Sequence, residues 1–243
     1  MSKTDILKEM IDESHCICVL TGAGISTESG IPDFRSENGL YKTKQEYGAA
    51  PEVILSRTFF DEYPDIFYDY YKKNFLVTEA QPNRAHRALA ELERRYKLYC
   101  IATQNVDGLH TKAGNKYVYE LHGSIYRNHC MKCKKEYPVE YIMNSQGVPK
   151  CSCGGIIKPD VLLYEEPLNG ELMDIVVNKV IQADMMIVCG TSLNVYPAAS
   201  FPYYYKGSRL VIINKSETQL DGEADLVIHE SLGDVLGEAV GVE

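Results

Sequence analysis

Three tracts in this chain have the residue types and spacing to do chemistry. The first is Thr103-Gln104-Asn105-Val106-Asp107-Gly108-Leu109-His110, followed further on by Leu121-His122-Gly123. Gln104, Asn105 and Asp107 come directly after the apolar run 98–102. Polar side chains at the end of a buried run need partners. They suit either a ligand's hydroxyls and amides or a capped turn, since Asn and Asp favour turns. His122 ends a second apolar run, and an imidazole with the ordinary pKa of about 6.5 transfers protons near neutral pH. Of the six histidines it is the one placed to act as a general base. His86 and His110 read as groups that orient loops or cap helices, and His15, His129 and His229 carry no evident role.

The second tract is Cys130-Met131-Lys132-Cys133 with Cys151-Ser152-Cys153. Two closely spaced cysteine pairs match a tetrahedral zinc ion held by four thiolates. Such a site has no open position, so the metal is structural; four free surface thiols are the alternative. The other cysteines, Cys16, Cys18, Cys100 and Cys189, lie inside apolar runs. Eight cysteines used in this way point to metal ligands and buried thiols in a cytoplasmic protein, not to disulfides. A zinc ribbon can also bind nucleic acid. Here Lys132, Lys134 and Lys135 make only a small basic patch, and the formal net charge of −9 argues against binding a phosphate backbone. The same charge is compatible with basic peptide partners or with solubility alone.

The third tract is glycine-rich. Gly22-Ala23-Gly24 follows the apolar run 16–20, so backbone amides there can approach a pyrophosphate or simply form a tight turn. Thr27 stands where the third glycine of G-x-G-x-x-G would be. Gly190-Thr191-Ser192 and Asn214-Lys215 also follow apolar runs, and Thr191, Ser192 and Asn214 can bond phosphate or ribose.

The elements that must position these tracts alternate. Apolar runs at 16–20, 98–102, 117–121, 161–164, 185–189, 210–213 and 226–228 read as buried parallel strands. Helical patterns fall at 4–14, 63–75, 86–96, 171–182 and around 197–205. This alternation predicts an α/β fold, a doubly wound parallel sheet of Rossmann-like type. The predicted sheet domain is built from residues 1–35, 83–125 and 158–243. Segments 36–82, a helical insert, and 126–157, the zinc module, form a smaller domain. The cleft between them is a natural ligand site. The chain has 243 residues with a 45% hydrophobic share, enough for a real core, and no apolar run long enough to span a bilayer. Its start carries no signal-peptide pattern, so the expected location is cytoplasmic, with no membrane partner.

Gly22-Ala23-Gly24-Ile25-Ser26, Gly30-Ile31-Pro32-Asp33-Phe34-Arg35-Ser36, the 103–110 tract and Leu121-His122-Gly123 together closely resemble the sirtuins of bacterial type. These are NAD-dependent protein deacylases, and the resemblance covers nearly the whole chain. It implies that NAD is consumed as a co-substrate and that Zn2+, one ion per chain, is structural and held by Cys130, Cys133, Cys151 and Cys153. It implies that Gly22, Ala23, Gly24, Thr27, Asp33, Phe34 and Arg35 contact the cofactor, with Phe34 shielding the reactive sugar carbon and Arg35 reaching a phosphate. Gln104 and Asn105 would hold ribose, Asn105 also an ordered water, and Val106 and Asp107 the nicotinamide carboxamide. Gly190, Thr191, Ser192, Asn214 and Asp234 would take the adenosine half. His122 would be the general base, with Asn105 beside it. The partner implied is an acetylated lysine of a protein or peptide, added as a strand between Val161, Leu162 and Tyr164 on one wall and Val195 on the other.

The chemistry implied is attack of the acetyl oxygen on the ribose carbon as nicotinamide leaves. A ribose hydroxyl, deprotonated through His122, then takes the acetyl group. A mono-ADP-ribosyltransferase and a non-catalytic NAD or zinc-ribbon binding module are the alternative readings. Two departures stand out. The second cysteine pair is C-x-C where most sirtuins have C-x-x-C, and Tyr164-Glu165-Glu166 replaces Phe-Gly-Glu. Members that prefer acidic acyl chains carry Tyr-x-x-Arg. The matching stretch here, Tyr70-Tyr71-Lys72-Lys73, leaves Lys73 as the group to attract a carboxylate and favours acetyl as the substrate.

Overall fold

The computed structural model describes residues 1–32 and 44–243. Among them are nine strands: β1 (Ile17–Thr21), β2 (Leu98–Thr103), β3 (Val118–Glu120), β4 (Gly123–Cys130), β5 (Glu136–Tyr137), β6 (Ile157–Val161), β7 (Met185–Cys189), β8 (Leu210–Ile213) and β9 (Leu226–Ile228). Six of these form one parallel sheet in the order β3-β2-β1-β7-β8-β9. The order reverses between β1 and β7. That is the switch point at which open α/β sheets leave a crevice beyond their carboxyl ends.

Every residue of β1 and β7 is buried, which explains their continuous apolar sequence: both faces of a parallel sheet are covered. The side chains divide by alternation. Ile17 and Val19 join the core formed with helices Lys3–Glu13, Arg84–Arg94 and Leu232–Val240. Cys18 and Leu20 join the opposite core, with helix Gly170–Gln182 and the 3-10 segment Ala198–Tyr204. Local signals set the helix starts. Ser2 Oγ accepts from Asp5 N at 3.0 Å while Ser2 N donates to Asp5 Oδ2 at 2.7 Å, a reciprocal cap. Asn83 caps Arg84–Arg94 by accepting from Ala85 N and His86 N.

The smaller sheet is antiparallel, β5-β4-β6. It packs with helices Arg57–Glu62, Pro64–Asn74 and Val139–Asn144 around Phe60, Phe67, Tyr68 and Tyr71. Phe67 and Tyr71 stack at 5.6 Å, and Tyr71 stacks again on Phe75 at 5.6 Å. Here the strand pattern departs from expectation. The apolar stretch read as a parallel strand at 161–164 belongs instead to the end of β6 and the loop after it. β6 pairs with β4, not with the large sheet. A short apolar run does not report its pairing partner, because the pattern is the same in either sheet.

Candidate active site

At the carboxyl ends of β1, β2 and β7 lies a cleft of about 670 Å³, within the ordinary range for ligand sites. Its floor is made by two loops that pack too closely for side chains. Gly24 N donates to Gly190 O at 2.8 Å, and a Cβ on Gly24 would lie 2.7 Å from Gly190 Cα. Gly190 itself has φ 63°. Glycine is required here by contact between the two loops as well as by any ligand.

The 103–107 tract folds across this floor as a hydrogen-bonded set. Ser26 Oγ donates to Asp107 Oδ2 at 2.7 Å and accepts from Asn105 Nδ2 at 3.0 Å. Asp107 Oδ1 accepts from Leu109 N at 2.9 Å. Burial pushes the Asp107 carboxyl above its usual value, while Ser26, the Leu109 amide and Asn105 pull it down. Gln104 Nε2 reaches Thr191 Oγ1 at 3.1 Å, tying β2 to the loop after β7.

Behind this set the polar chain continues into the core. Thr103 Oγ1 accepts from Asn105 N and from Thr21 Oγ1, and Thr21 Oγ1 lies 3.0 Å from His110 Nε2. The His110 ring packs 4.8 Å from His86, whose Nδ1 lies 3.0 Å from Asn83 Oδ1. Burial drives His86 down to about 4 and His110 well below its usual value, so both are neutral near neutral pH. Both histidines therefore brace loops and a helix start.

His122 lines the cleft between β3 and β4. Its Nδ1 lies 3.0 Å from the Gln104 carbonyl. A carbonyl only accepts, so the proton sits on Nδ1 and Nε2 is the basic nitrogen. Gly123, next in sequence, has φ 77°, and a Cβ there would lie 1.7 Å from Asp160 O. Only glycine lets β4 pass β6 so closely. Leu162 N then donates to His122 O at 2.9 Å. The imidazole and the 161–164 wall are thus held in one frame.

Of the residues singled out from the sequence, Gly22, Ala23, Gly24, Thr27, Gln104, Asn105, Val106, Asp107 and His122 line the cleft. So do Val161, Leu162, Tyr164, Gly190, Thr191, Ser192 and Asn214. Asp33, Phe34 and Arg35 lie outside the described residues. Val195 is not among the lining residues; its neighbour Asn194 is. Asp234 is not either. Its exposed carboxylate pairs with Arg84 at 3.5 Å, and Leu232 is the part of that segment that reaches the cleft. Lys73 pairs with Asp69 at 2.8 Å and Glu46 at 3.1 Å and does not line the cleft. Its placement away from the cleft agrees with the preference for acetyl over acidic acyl chains. Ser26, Leu55 and Phe75 were not expected there and do line it. Ser26 had a visible signal, a hydroxyl two residues beyond the second glycine of the loop. Leu55 and Phe75 had none, because apolar lining reads the same as core.

Away from the cleft, the Sγ atoms of Cys130, Cys133, Cys151 and Cys153 all lie within 4.8 Å of one another. Tetrahedral zinc with bonds of about 2.3 Å needs thiolates about 3.8 Å apart; the closest pairs here, Cys130–Cys153 and Cys133–Cys151, are at 3.5 Å. The C-x-C pair reaches this geometry through a turn at Gly154, φ 80°. The amide of Cys153 and the Tyr137 hydroxyl, 3.0 Å from Cys151 Sγ, bring the Cys151 thiol down to about 5. Against the pull of the Lys135 amide, the sulfurs of Cys153, Cys151 and Cys130 push Cys133 up to about 11. Clustered thiolates that repel each other are the donor set a divalent cation relieves. The residues fit a structural zinc ion.

Comparison with known proteins agrees with this geometry. A family model described as the Sir2 family matches residues 22–197. An NAD-dependent protein deacetylase of Clostridium acetobutylicum is 52% identical over 238 residues, covering 97% of each chain. One from Clostridium tetani is 54% identical over 236 residues, 96% of each. Among solved structures, a Sir2 variant with a deacetylated p53 peptide and 3'-O-acetyl ADP-ribose superposes with a TM-score of 0.90 at 36% identity, covering 99% of this chain and 98% of that one. A Sir2 homolog–NAD complex gives 0.88 at 39% identity, with 98% and 92% covered. With the matched model spanning the glycine loops, the 103–110 tract, His122 and the four cysteines, this chain belongs to the Sir2 family.

Proposed function

We infer that this chain is an NAD-dependent protein-lysine deacetylase. It moves the acetyl group of a modified lysine onto ADP-ribose with release of nicotinamide. The observation that carries this reading is the His122 imidazole, its basic nitrogen fixed by the Gln104 carbonyl, standing in one cleft with the Ser26–Asn105–Asp107 set. The names of relatives more than 50% identical over nearly all of both chains support it.

In this proposal the glycine loops and Thr191, Ser192 and Asn214 take the adenosine and phosphate part of NAD. The Asp107 carboxylate and Val106 take the nicotinamide amide. Asn105 and Gln104 orient the ribose. His122 accepts the ribose hydroxyl proton at Nε2, so that the hydroxyl captures the acetyl carbon. The acetyl oxygen stays on the anomeric carbon as its hydroxyl, and one water adds to the former acetyl carbon as the lysine amine leaves, which balances the reaction. The chain's contribution is orientation and exclusion of bulk water from an electrophilic sugar carbon. Val161, Leu162 and Tyr164 form the wall for the acyl-lysine peptide, which adds by main-chain bonding. A zinc ion would do no chemistry; held by Cys130 at the end of β4, Cys133 in the turn after it, Cys151 and Cys153, it would tie β4 to the 151–155 turn. The two-domain division belongs to the same proposal, with β4 and β6 assigned to the smaller domain. So does a cytoplasmic location, where the thiols stay reduced; no described helix is long and apolar enough to cross a membrane.

The test is incubation with an acetyl-lysine peptide, with and without NAD, followed by mass measurement. Deacetylated peptide and an acetylated nucleotide, both only with NAD, are expected. Adenine label retained on protein would instead mark ADP-ribosyl transfer, and an unchanged peptide would reject the reading.

A further inference from the structure

The loop after β6 closes one side of the cleft, and its fastening contains a residue in the wrong place for its type. Glu165 has φ 75°, in the left-handed region that strains any side chain with a Cβ. Its carboxylate is held in return. Glu165 Oε2 accepts from Thr58 N at 2.9 Å and from Thr58 Oγ1 at 2.7 Å, and these bonds keep the carboxyl below its usual range. The Thr58 amide lies in the first turn of helix Arg57–Glu62, where the helix itself offers no acceptor.

The residues on either side are fastened to the same segment. Tyr164 N donates to Leu55 O at 3.0 Å and Arg57 N donates to Tyr164 O at 2.9 Å. Glu166 accepts from Arg57 Nη1 at 3.1 Å through one oxygen. Its other oxygen accepts from Lys158 Nζ at 3.0 Å and Leu163 N at 2.9 Å. Leu55, Leu163 and Tyr164 face the cleft.

We propose that Glu165 and Thr58 are positioning residues, a clamp that locks the 162–166 loop to the 55–58 segment and sets Tyr164 and Leu55 as a rigid wall for the acyl-lysine side chain. Glycine would adopt this backbone freely but leave the loop with one fewer anchor and more conformations to lose. Glutamate accepts the strained backbone and gains two bonds to a different element. Neither residue touches the reacting atoms; both act through Tyr164. The identity of the substrate rests on the function proposed above, whereas the clamp itself does not.

The experiment compares the unmodified protein with Thr58→Val, Thr58→Ser and Glu165→Gly. Amide hydrogen exchange over residues 162–166 is measured without ligand, and KM and kcat are measured with an acetyl-lysine peptide. Thr58→Val and Glu165→Gly are expected to speed exchange at Tyr164 and Glu166 and to raise the peptide KM about fivefold. Their kcat and NAD KM should stay within about twofold, and Thr58→Ser should match the unmodified protein because it keeps the hydroxyl. Unchanged exchange in both disrupting variants would overturn the clamp, as would a peptide KM that moves only in step with kcat and the NAD KM. If the unmodified protein releases no nicotinamide, the function proposal fails separately, and the exchange measurement still decides the clamp.

Discussion

His122 and Asp107 have their states set by their immediate neighbours. The Gln104 carbonyl fixes the His122 tautomer. His122→Ala is therefore expected to lower kcat by about a hundredfold or more, with circular dichroism and zinc content unchanged; activity within tenfold of the parent would remove the histidine from the base role. Asp107 makes a different prediction. Its folded-state pKa is raised, chiefly by burial, so above that value the charged carboxylate costs stability in the empty protein. Asp107→Asn should raise the melting temperature at neutral pH while abolishing nicotinamide release. A variant that melts lower without ligand would show that the bonds from Ser26 and Leu109 N outweigh the burial. These residues were legible in the sequence because a polar side chain directly after an apolar run must find a partner at the strand's end, and a ligand can supply one. Ser26 was visible as part of a motif but not as a partner, since its contacts to Asn105 and Asp107 span the sequence from one loop to another. Asp234 is a different case: the resemblance assigns it to the adenine, while in this structure its carboxylate pairs with Arg84 and Leu232 is the part of that segment that lines the cleft.

Elements carry this chemistry by how they dock. Helix Arg84–Arg94 packs on the sheet through Ala85, Ala88, Leu89 and Leu92 and sets His86, fully buried and neutral, against His110. A histidine whose folded value is about 4 stabilises the fold fully above its unfolded value near 6.5 and loses that contribution as pH falls toward 4. A change of that size corresponds to roughly 3 kcal/mol, and His110, depressed in the same direction, adds to it. Urea midpoints should accordingly fall between pH 6.5 and 4, and His86→Gln should flatten that slope; equal slopes would assign the acid sensitivity elsewhere. The small sheet depends on its metal in the same way. Cys130 and Cys151 share one core with Phe67, Val161 and Leu163, so the cysteine cluster and that wall of the cleft are one packed unit. Metal analysis should find one zinc per chain, and Cys130→Ala should lose both the metal and several degrees of melting temperature. An unchanged melting temperature without zinc would separate the cluster from the core. At this scale the alternation of strands and helices was readable, because a buried parallel strand has a continuous apolar sequence. The pairing of β6 was not, since it depends on β4 passing close to β6 where Gly123 meets the Asp160 carbonyl, an approach that no periodicity records.

The large sheet and the small sheet both contribute to one cleft, which sets how the molecule would respond to a ligand there. Walls from the large sheet, at Gly24, Asn105 and Thr191, and from the smaller one, at Leu55 and Val161, face the same space. A ligand that touches both binds only when both are folded. At a hundred times its dissociation constant such a ligand adds about 2.7 kcal/mol, which for a chain of this length is a rise of roughly 5–10 °C in melting temperature. NAD should produce that rise, and less of it after zinc is stripped, because the Val161 wall then loosens. Charge decides how salt enters. The chain carries a formal charge of −9, and the charged side chains among the described lining residues are Glu28, Glu52 and Asp107 against Lys215. The described lining by itself repels an anionic pyrophosphate more than it attracts one, so among the described residues its binding would rest on amides and hydroxyls at strand ends. The shift with NAD should therefore hold or grow as sodium chloride rises from about 0.05 to about 0.5 M, where the screening length shortens to a few ångströms. A lysine-rich acetylated peptide, drawn by the same negative field, should bind more weakly over that range. A NAD shift that halves instead would assign the phosphate to a cation, with Arg35 the first residue to substitute.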